Sequence, residues 1–298
     1  MNRLIYADNA ATTKMSQAAY EAMMRFQLID FANASQPYSF ARNAKNALKE
    51  ARETIARCIN ASPNEIFFTS CGTESDNWVI KGCKCCKIYT SLIEHHAILN
   101  ACIEVALDGT EVNYMPVNHT GIVEPQVLDG VLTENSLVSI MMANNEIGTI
   151  LPIKQLAKIA HSHHSLFHTD AVQAVGHIPV NVRELDVDFL SASAHKFNGP
   201  KGIGFLYIKD GIKINPLISG GTQENSLRAG TENVASIVAM AIALEENTSR
   251  LEENMKYIQG LEDALIHQLL SLNIKFHKNG AEVKIPGNIS LSFNGCLL

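Results

Sequence analysis

The sequence lacks the features that mark membrane proteins, nucleic-acid-binding proteins and secreted proteins. No apolar run approaches the ~20 residues that a helix needs to cross a bilayer. Basic residues are outnumbered, with 24 Lys and Arg against 30 Asp and Glu, so a net charge of −6 leaves no surplus to neutralise phosphates. The first residues are too polar for a signal peptide. These absences argue against a membrane or a nucleic acid as partner and favour a cytoplasmic protein.

A disulfide framework is also missing. Seven cysteines are an odd number, and their spacing is not that of a secreted disulfide-rich protein, so we expect reduced thiols. The one cluster, Cys83-Lys84-Cys85-Cys86, is not matched by a second spaced pair of Cys or His, which zinc sites usually need. We interpret this cluster as a turn at the solvent edge between a helix and a strand, and we predict no metal site.

Short apolar runs alternate with helical segments over most of the sequence. Seven runs have the length and composition of strands, at 66–69, 87–90, 112–115, 137–142, 166–169, 189–191 and 203–208. Helices are predicted at 16–30, 41–60, 73–82, 97–107, 125–132 and 153–163. Strands interleaved with helices predict an α/β fold with a mostly parallel seven-stranded sheet covered on both faces. Ligands of such sheets bind beyond the carboxyl ends of the strands.

The pattern changes after Gly220-Gly221. Two long helices are predicted, at 232–256 and 257–272, and strand-like runs follow at 274–276 and 288–293. One or two strands make a poor domain, so either another chain completes this unit or the protein functions without it. We expect an N-terminal arm at 1–15, a large domain at 16–250 and an incomplete small domain at 251–298.

A His-Lys pair lies among small residues between two of the predicted strands, at Ser193-Ala194-His195-Lys196. Small residues let a ligand approach the backbone closely, and a lysine among them lies next to that ligand. Lys196 is therefore our candidate for the residue that carries the chemistry.

Polar residues follow several of the other strands. The segment 69–77 combines a turn of small residues with a helix start, which suits a phosphate. Asp170 ends a buried strand, where an acid is costly unless a cation pairs with it. His95 could stack on a flat ring or move protons, and Asn144 and Asn145 could hydrogen-bond a ring oxygen or a carboxylate. Each has an ordinary structural alternative: a helix cap, a salt bridge, a structural histidine or an Asn-rich turn.

Taken together, these residues form the set that a pyridoxal phosphate site needs. The lysine would form a Schiff base with the aldehyde, and the acid would keep the pyridine nitrogen protonated. The helix N-terminus would hold the phosphate.

The chain resembles the NifS/IscS-type cysteine desulfurases, which are fold type I, class V aminotransferase-like pyridoxal phosphate enzymes. The resemblance covers nearly the whole sequence. Its motifs are 6–13, 67–77, 144–148, 168–173, 193–196 with 199–202, and 227–233.

This resemblance implies roles for individual residues. Lys196 would be the Schiff-base lysine, Asp170 would pair with the pyridinium nitrogen, and His95 would stack on the ring and move protons. The remaining contacts implied are Asn145 and Gln173 at the ring, Gly72, Thr73, Ser193 and His195 at the phosphate, and Thr231 at the phosphate of a neighbouring subunit's cofactor. The last contact implies a homodimer.

The sequence departs from the family in its cysteines. The family's sulfur-accepting cysteine, and the arginine that binds the substrate carboxylate, correspond to positions beyond residue 298. Cys296 corresponds to the start of a linker. Cys71 stands where glycine is usual, either as a small-residue substitution or as a thiol near the cofactor.

The resemblance implies that the chain binds L-cysteine as an aldimine for sulfur transfer, giving a persulfide and alanine, as in iron–sulfur cluster biogenesis. We expect a partner chain or an external thiol to supply the nucleophile. Two alternatives remain: another pyridoxal phosphate activity on a small amino acid, as a lyase or transaminase, and a non-catalytic subunit of a sulfur-trafficking assembly.

Overall fold

The computed structural model describes residues 5–293 and contains a seven-stranded sheet. Its strands are β1 (Ile66–Thr69), β2 (Lys87–Ser91), β3 (Glu111–Met115), β4 (Leu137–Ser139), β5 (Leu166–Asp170), β6 (Phe189–Ser193) and β7 (Gly204–Ile208). Their order across the sheet is β1-β7-β6-β5-β4-β2-β3. Only β7 runs against its neighbours, so the other six strands share one direction. The predicted α/β fold with a mostly parallel sheet is confirmed.

Nine α-helices accompany the sheet in the described part of the chain. They are α1 (Gln17–Leu28), α2 (Arg42–Cys58), α3 (Gly72–Gly82), α4 (His96–Leu107), α5 (Pro125–Asp129), α6 (Ile153–Ser162), α7 (Val182–Leu185), α8 (Val234–Ser249) and α9 (Leu251–Ser271). Ser16 caps α1, because its side chain accepts the Ala19 N–H. Among the helices within residues 5–293, none is long and apolar enough to cross a membrane.

Both faces of the sheet are buried, each in its own apolar cluster. Successive strand residues point to opposite faces. Phe68 and Tyr89 therefore belong to one cluster, whereas Phe67, Ile88 and the fully buried Trp78 belong to the other. Helices cover the two clusters, and this leaves the carboxyl edge of the sheet as the place where a ligand has access.

The predicted boundary between the last two long helices was wrong. The break falls at Arg250, and Tyr257, the predicted start of the second helix, lies inside α9. Thr248 Oγ1 donates to Leu244 O at 2.9 Å and Ser249 Oγ donates to Glu246 O at 3.0 Å. Hydroxyls that bond to the preceding turn compete with the helical ladder and favour a helix end.

The ends of α5 and β4 also differ from prediction. α5 ends at Asp129 instead of residue 132, and Gly130, a poor helix former, follows as its C-cap. β4 ends at Ser139 instead of residue 142, although Met142 N still donates to Asp170 O at 2.8 Å. This bond holds the loop after β4 beside the end of β5.

The cysteine cluster at 83–86 forms the predicted turn, between α3 and β2. Lys84 takes a left-handed conformation there, with a φ of +53°.

A two-stranded hairpin follows α9, formed by β8 (Phe276–Lys278) and β9 (Leu291–Phe293). The chain between them contacts the loop after β4, where Ile285 N donates to Gly148 O at 2.9 Å. The strand predicted at 274–276 corresponds to β8, which begins two residues later. Cys296 lies outside the described residues.

Candidate active site

A pocket of about 550 Å³ lies at the carboxyl edge of the sheet. Nine of the ten residues proposed from the sequence line it: Gly72, Thr73, His95, Asn145, Asp170, Gln173, Ser193, His195 and Lys196. They come from the segments that follow β1, β2, β4, β5 and β6, which the sheet order brings to one edge. Thr231 is the exception, because it is exposed in the loop before α8 and does not line this pocket.

Lys196 ends the short 3-10 turn Ala194–Lys196 directly after β6. Its Nζ donates to the carbonyl oxygens of Ala10 and Ala11, at 3.0 Å for the latter. Burial lowers the pKa of Lys196, although the negative charges of Asp170 and Asp8 act in the opposite direction. A lowered pKa increases the share of neutral amine, which is the nucleophilic form.

The N-terminal arm forms one wall of the pocket. Thr13 donates to His195 O from both its N–H, at 2.9 Å, and its hydroxyl, at 2.8 Å. Asn198 N donates to Thr13 Oγ1 at 2.8 Å, and Gln173 Nε2 donates to Ala10 O at 3.0 Å. The arm is thus fastened to the segment that carries Lys196. Residues 6–13 were identified from the sequence only as a family motif. That their carbonyl groups accept hydrogen bonds from Lys196 was not predicted.

Asp170 lies at the end of β5 and is 6% exposed. Its Oδ1 accepts the Val172 N–H at 2.9 Å. Burial raises the pKa of Asp170, while this hydrogen bond and the nearby His95 and Lys196 oppose the rise. A buried carboxylate of this kind needs a cationic partner.

The start of α3 forms an anion cradle, by which we mean residues 70–73. Cys71 precedes the helix without a side-chain cap, so the first N–H groups of α3, those of Gly72 and Thr73, have no acceptor within the helix. Ser193 lies beside them, 2% exposed, and its hydroxyl makes no hydrogen bond with any residue from 5 to 293. Together these groups offer hydrogen-bond donors to an anion.

The cradle is supported from behind by an ion pair. Glu74 accepts the Ser70 N–H at 2.7 Å and pairs with Arg228, Nε to Oε1, at 2.8 Å. Burial would raise the pKa of Glu74, but the hydrogen bonds from Arg228 and Ser70 outweigh it and lower that pKa. β7 passes close beneath, and a Cβ at Gly204 would lie 2.5 Å from Ala192 O and 3.0 Å from Cys71 C. Glycine is therefore needed there.

His95 caps the N-terminus of α4 at the mouth of the pocket. Its Nδ1 accepts the Ala97 N–H at 3.1 Å, so a neutral ring carries its proton on Nε2. His195 uses its Nδ1 differently, in a 3.1 Å hydrogen bond with Thr12 Oγ1. Asn145, in the loop after β4, lines the pocket, and its Nδ2 donates to Glu146 Oε1 at 2.7 Å.

Several lining residues were not assigned a role from the sequence. They are Asp8, Ala10, Ala11, Asp76, Met141, Ala143, Glu146 and Val172. Asp76 is the most unusual of them, because it is 1% exposed and its Oδ1 makes no hydrogen bond with a described residue. Its signal in the sequence was weak, an acid within an otherwise ordinary amphipathic helix.

Comparison with known proteins places the chain among enzymes. Residues 5–296 match the family described as aminotransferase class-V. The cysteine desulfurase IscS of Methanosarcina thermophila is 45% identical over 300 residues, which are 98% of this chain and 74% of that protein. The cysteine desulfurase IscS of Dictyoglomus turgidum is 48% identical over 301 residues, covering 98% and 76%.

Two solved structures are similar along nearly the whole chain. A NifS-like protein has a TM-score of 0.94 and 39% identity, covering 98% of this chain and 82% of its own. SspA in complex with cysteine has a TM-score of 0.87 and 33% identity, covering 98% and 84%.

Proposed function

Because the chain belongs to the class-V aminotransferase family, and within it to the cysteine desulfurase group, we propose that it is a pyridoxal phosphate-dependent, cysteine desulfurase-like enzyme acting on L-cysteine. The observation that carries this proposal is the convergence of nine sequence-predicted residues on one pocket. Lys196 and Asp170 lie close enough there for each to shift the pKa of the other.

The pocket residues fit pyridoxal phosphate. Among the described residues, the Ser193 hydroxyl has no hydrogen-bond partner and the first N–H groups of α3, those of Gly72 and Thr73, have no acceptor in the helix, so they supply donors of the kind that a phosphate accepts. His195 would add its Nε2, since its Nδ1 contacts Thr12. Asp170 supplies the buried negative charge that a pyridinium nitrogen requires. We assign Asn145 and Gln173 to the ring side.

The chain's own residues would perform three tasks. When bound, the cofactor supplies an aldehyde and an electron-accepting ring. Lys196 offers an amine whose lowered pKa favours the neutral, nucleophilic form. Asp170 would hold a negative charge toward the ring nitrogen, and His95 would lie against the ring and could hold or move a proton at its Nε2.

We propose that the sulfur acceptor is a thiol from outside residues 5–293, provided by a partner chain or an external thiol. Among those residues, Cys71 is the one cysteine that lines the pocket, and it belongs to the anion cradle. A thiol there would face the phosphate. A thiolate is required to attack the substrate sulfur, leaving a persulfide and alanine.

We also propose a cytoplasmic homodimer in which Thr231 contacts the cofactor phosphate of the other subunit. Thr231 is exposed and available for such a contact. Phe31 and Phe40 pack edge to face, 5.3 Å apart, yet are 67% and 50% exposed, which leaves an apolar surface for a second copy. Residues 16–250 would bind the cofactor, with 1–15 as its arm and 251–298 as an incomplete small domain.

The test compares the chain with its Lys196→Ala variant. The purified chain should gain a visible absorbance band with pyridoxal phosphate, and the variant should lose the lysine-dependent band and all turnover. Lys213→Ala changes an exposed lysine and should leave the band intact. A variant with an unchanged spectrum would contradict the assignment of Lys196.

Product analysis with L-cysteine and a reducing thiol separates the candidate functions. Alanine together with sulfide supports the desulfurase. A keto acid without alanine supports a lyase or transaminase, and cofactor binding without any product supports a non-catalytic subunit.

A further inference from the structure

We propose that Asp76 holds a proton beside Asp170, so that the two buried carboxyl groups share one negative charge and that charge stays on Asp170. Asp76 would then be a positioning residue. The inference rests on the proposed function, because that function places Asp170 at the ring nitrogen of the cofactor.

The two carboxyl groups lie in the same pocket and are almost completely buried. Asp76, on the second turn of α3, is 1% exposed, and Asp170 is 6% exposed. In the part of the chain that the structure describes, the one basic side chain in ion-pair range of Asp76 is His168, with 3.7 Å between Nε2 and Oδ1. Two ionised carboxylates so placed would repel each other without solvent to screen them. One proton between them removes that repulsion.

The surroundings decide which carboxyl keeps the proton. Asp170 accepts the Val172 N–H at 2.9 Å and is favoured as an anion by His95 and Lys196. Within residues 5–293, no backbone N–H donates to Asp76, its neighbour His168 is uncharged at neutral pH, and its Oδ1 makes no hydrogen bond. Burial raises the pKa of Asp76 well above its usual range, and Asp170 raises it further. The titratable groups that face Asp76 are Asp170, Glu94, Cys71 and His168.

His168 reports the protonation state of Asp76. Its ring is fully buried, and burial lowers its pKa to about 3, so one ring nitrogen carries a single proton at neutral pH. Nδ1 lies 2.8 Å from Ser139 Oγ, and Nε2 lies 3.0 Å from Ser191 Oγ. The Ser191 hydroxyl also neighbours the Asp76 carboxyl and lowers its pKa. Ser139 and Ser191 therefore hydrogen-bond the two nitrogens of the His168 ring, and Asp76 lies next to Ser191. The direction in which the Ser191 hydroxyl donates thus links the proton of His168 to the proton of Asp76.

When each hydroxyl accepts from one neighbour and donates to the other, two arrangements of protons are possible. If Asp76 is protonated, it donates to Ser191, Ser191 donates to Nε2 of His168, and Nδ1–H donates to Ser139. If Asp76 is ionised, every donation reverses and the proton of His168 lies on Nε2. The proposal thus predicts the Nδ1–H tautomer of His168.

The tautomer can be measured by ¹⁵N NMR of the histidine rings in the full chain, without cofactor and at neutral pH. His168 should carry its proton on Nδ1, and Asp76→Asn should keep that tautomer because an amide N–H replaces the acid O–H as donor. An Nε2–H tautomer in the unmodified chain would overturn the proposal.

Infrared difference spectroscopy tests the same proton without assigning any histidine. The unmodified chain minus Asp76→Asn should show the carbonyl band of one protonated carboxylic acid. The matched control Asp263→Asn changes an exposed acid and should show none. Absence of the band in the first difference spectrum would refute a protonated Asp76.

Cofactor titration completes the test. Asp76→Asn should bind pyridoxal phosphate within about threefold of the unmodified chain, whereas Asp170→Asn should bind at least about tenfold more weakly, because it loses a charge-assisted hydrogen bond. Equal weakening in both variants would mean that Asp76 carries charge itself. The first two measurements need no cofactor, so a chain that holds the Asp76 proton but binds no cofactor would contradict the proposed function alone.

Discussion

Glu94 is a buried acid whose protonation state has a calculable effect on stability. It is 5% exposed, and its Oε1 accepts the Ser91 hydroxyl at 2.6 Å and the Met141 N–H at 3.1 Å. Its Oε2 makes no hydrogen bond with any residue between 5 and 293. Burial raises the pKa of Glu94 from 4.5 to about 8, despite the two hydrogen bonds, and Asp170 adds to the rise. The side chain is therefore mostly protonated at neutral pH.

Replacing Glu94 by Gln should make the protein more stable at high pH than the unmodified chain. The folded state binds this proton more tightly than the unfolded state, so the contribution is fully present below pH 4.5 and is lost as pH rises through about 8. Three and a half pKa units correspond to roughly 5 kcal/mol at most. Gln preserves the acceptor at Oε1 and never ionises. We expect near-equal stability at about pH 5 and an advantage of a few kcal/mol for the variant at about pH 9.

Urea denaturation followed by circular dichroism, repeated across that pH range without cofactor, measures the difference. Glu50→Gln is the matched control, because Glu50 is exposed on α2 and should show almost no pH-dependent difference. A difference between Glu94→Gln and the unmodified chain that stays constant with pH would refute the reasoning.

Three further variants test other contacts. His161→Gln should remove a stabilisation that exists below about pH 6.5 and fades as pH rises, because the hydrogen bond to Asp188 raises the pKa of His161. Melting temperatures of the variant and the unmodified chain that differ equally at all pH values would contradict this. Glu224→Gln should lower the free energy of unfolding by about 3 kcal/mol in urea titration, since its buried carboxylate pairs with Arg52, and a loss below about 1 kcal/mol would show that solvent replaces the pair. Thr13→Val removes two hydrogen bonds that fasten the arm, so it should lower the free energy of unfolding by about 1–3 kcal/mol and weaken cofactor binding. An unchanged melting temperature would argue against a contribution of the arm to stability.

Much of the sheet could be predicted from the sequence, because its strands are short apolar runs bounded by helical patterns. The direction of β7 could not be read from its composition, since Gly204–Ile208 resembles a parallel strand. The signal was in the connection: only residues 194–203 separate β6 from β7, and parallel neighbours need a crossover of about a dozen residues or more. The break at Arg250 was missed because helix propensity does not register hydroxyls that bond back to the preceding turn.

The candidate site was likewise only partly predictable from the sequence. Residues at strand ends, such as Asp170 and Lys196, could be found because chain order and sheet geometry bring strand ends to one edge. Asp76 and the carbonyl groups of Ala10 and Ala11 could not, since their importance comes from burial and from tertiary contacts. A pattern of residue types contains neither.

β1 has a single partner in the sheet, and that partner is β7, with Ile66 opposite Tyr207. Pairing across so long a stretch of sequence is slow, because the entropy of closing the intervening loop opposes it until the contact forms. The anion cradle follows β1 directly and has Gly204 of β7 against its backbone. Its shape therefore depends on a strand more than a hundred residues further along the sequence, although Gly72 and Thr73 lie in the first third of it.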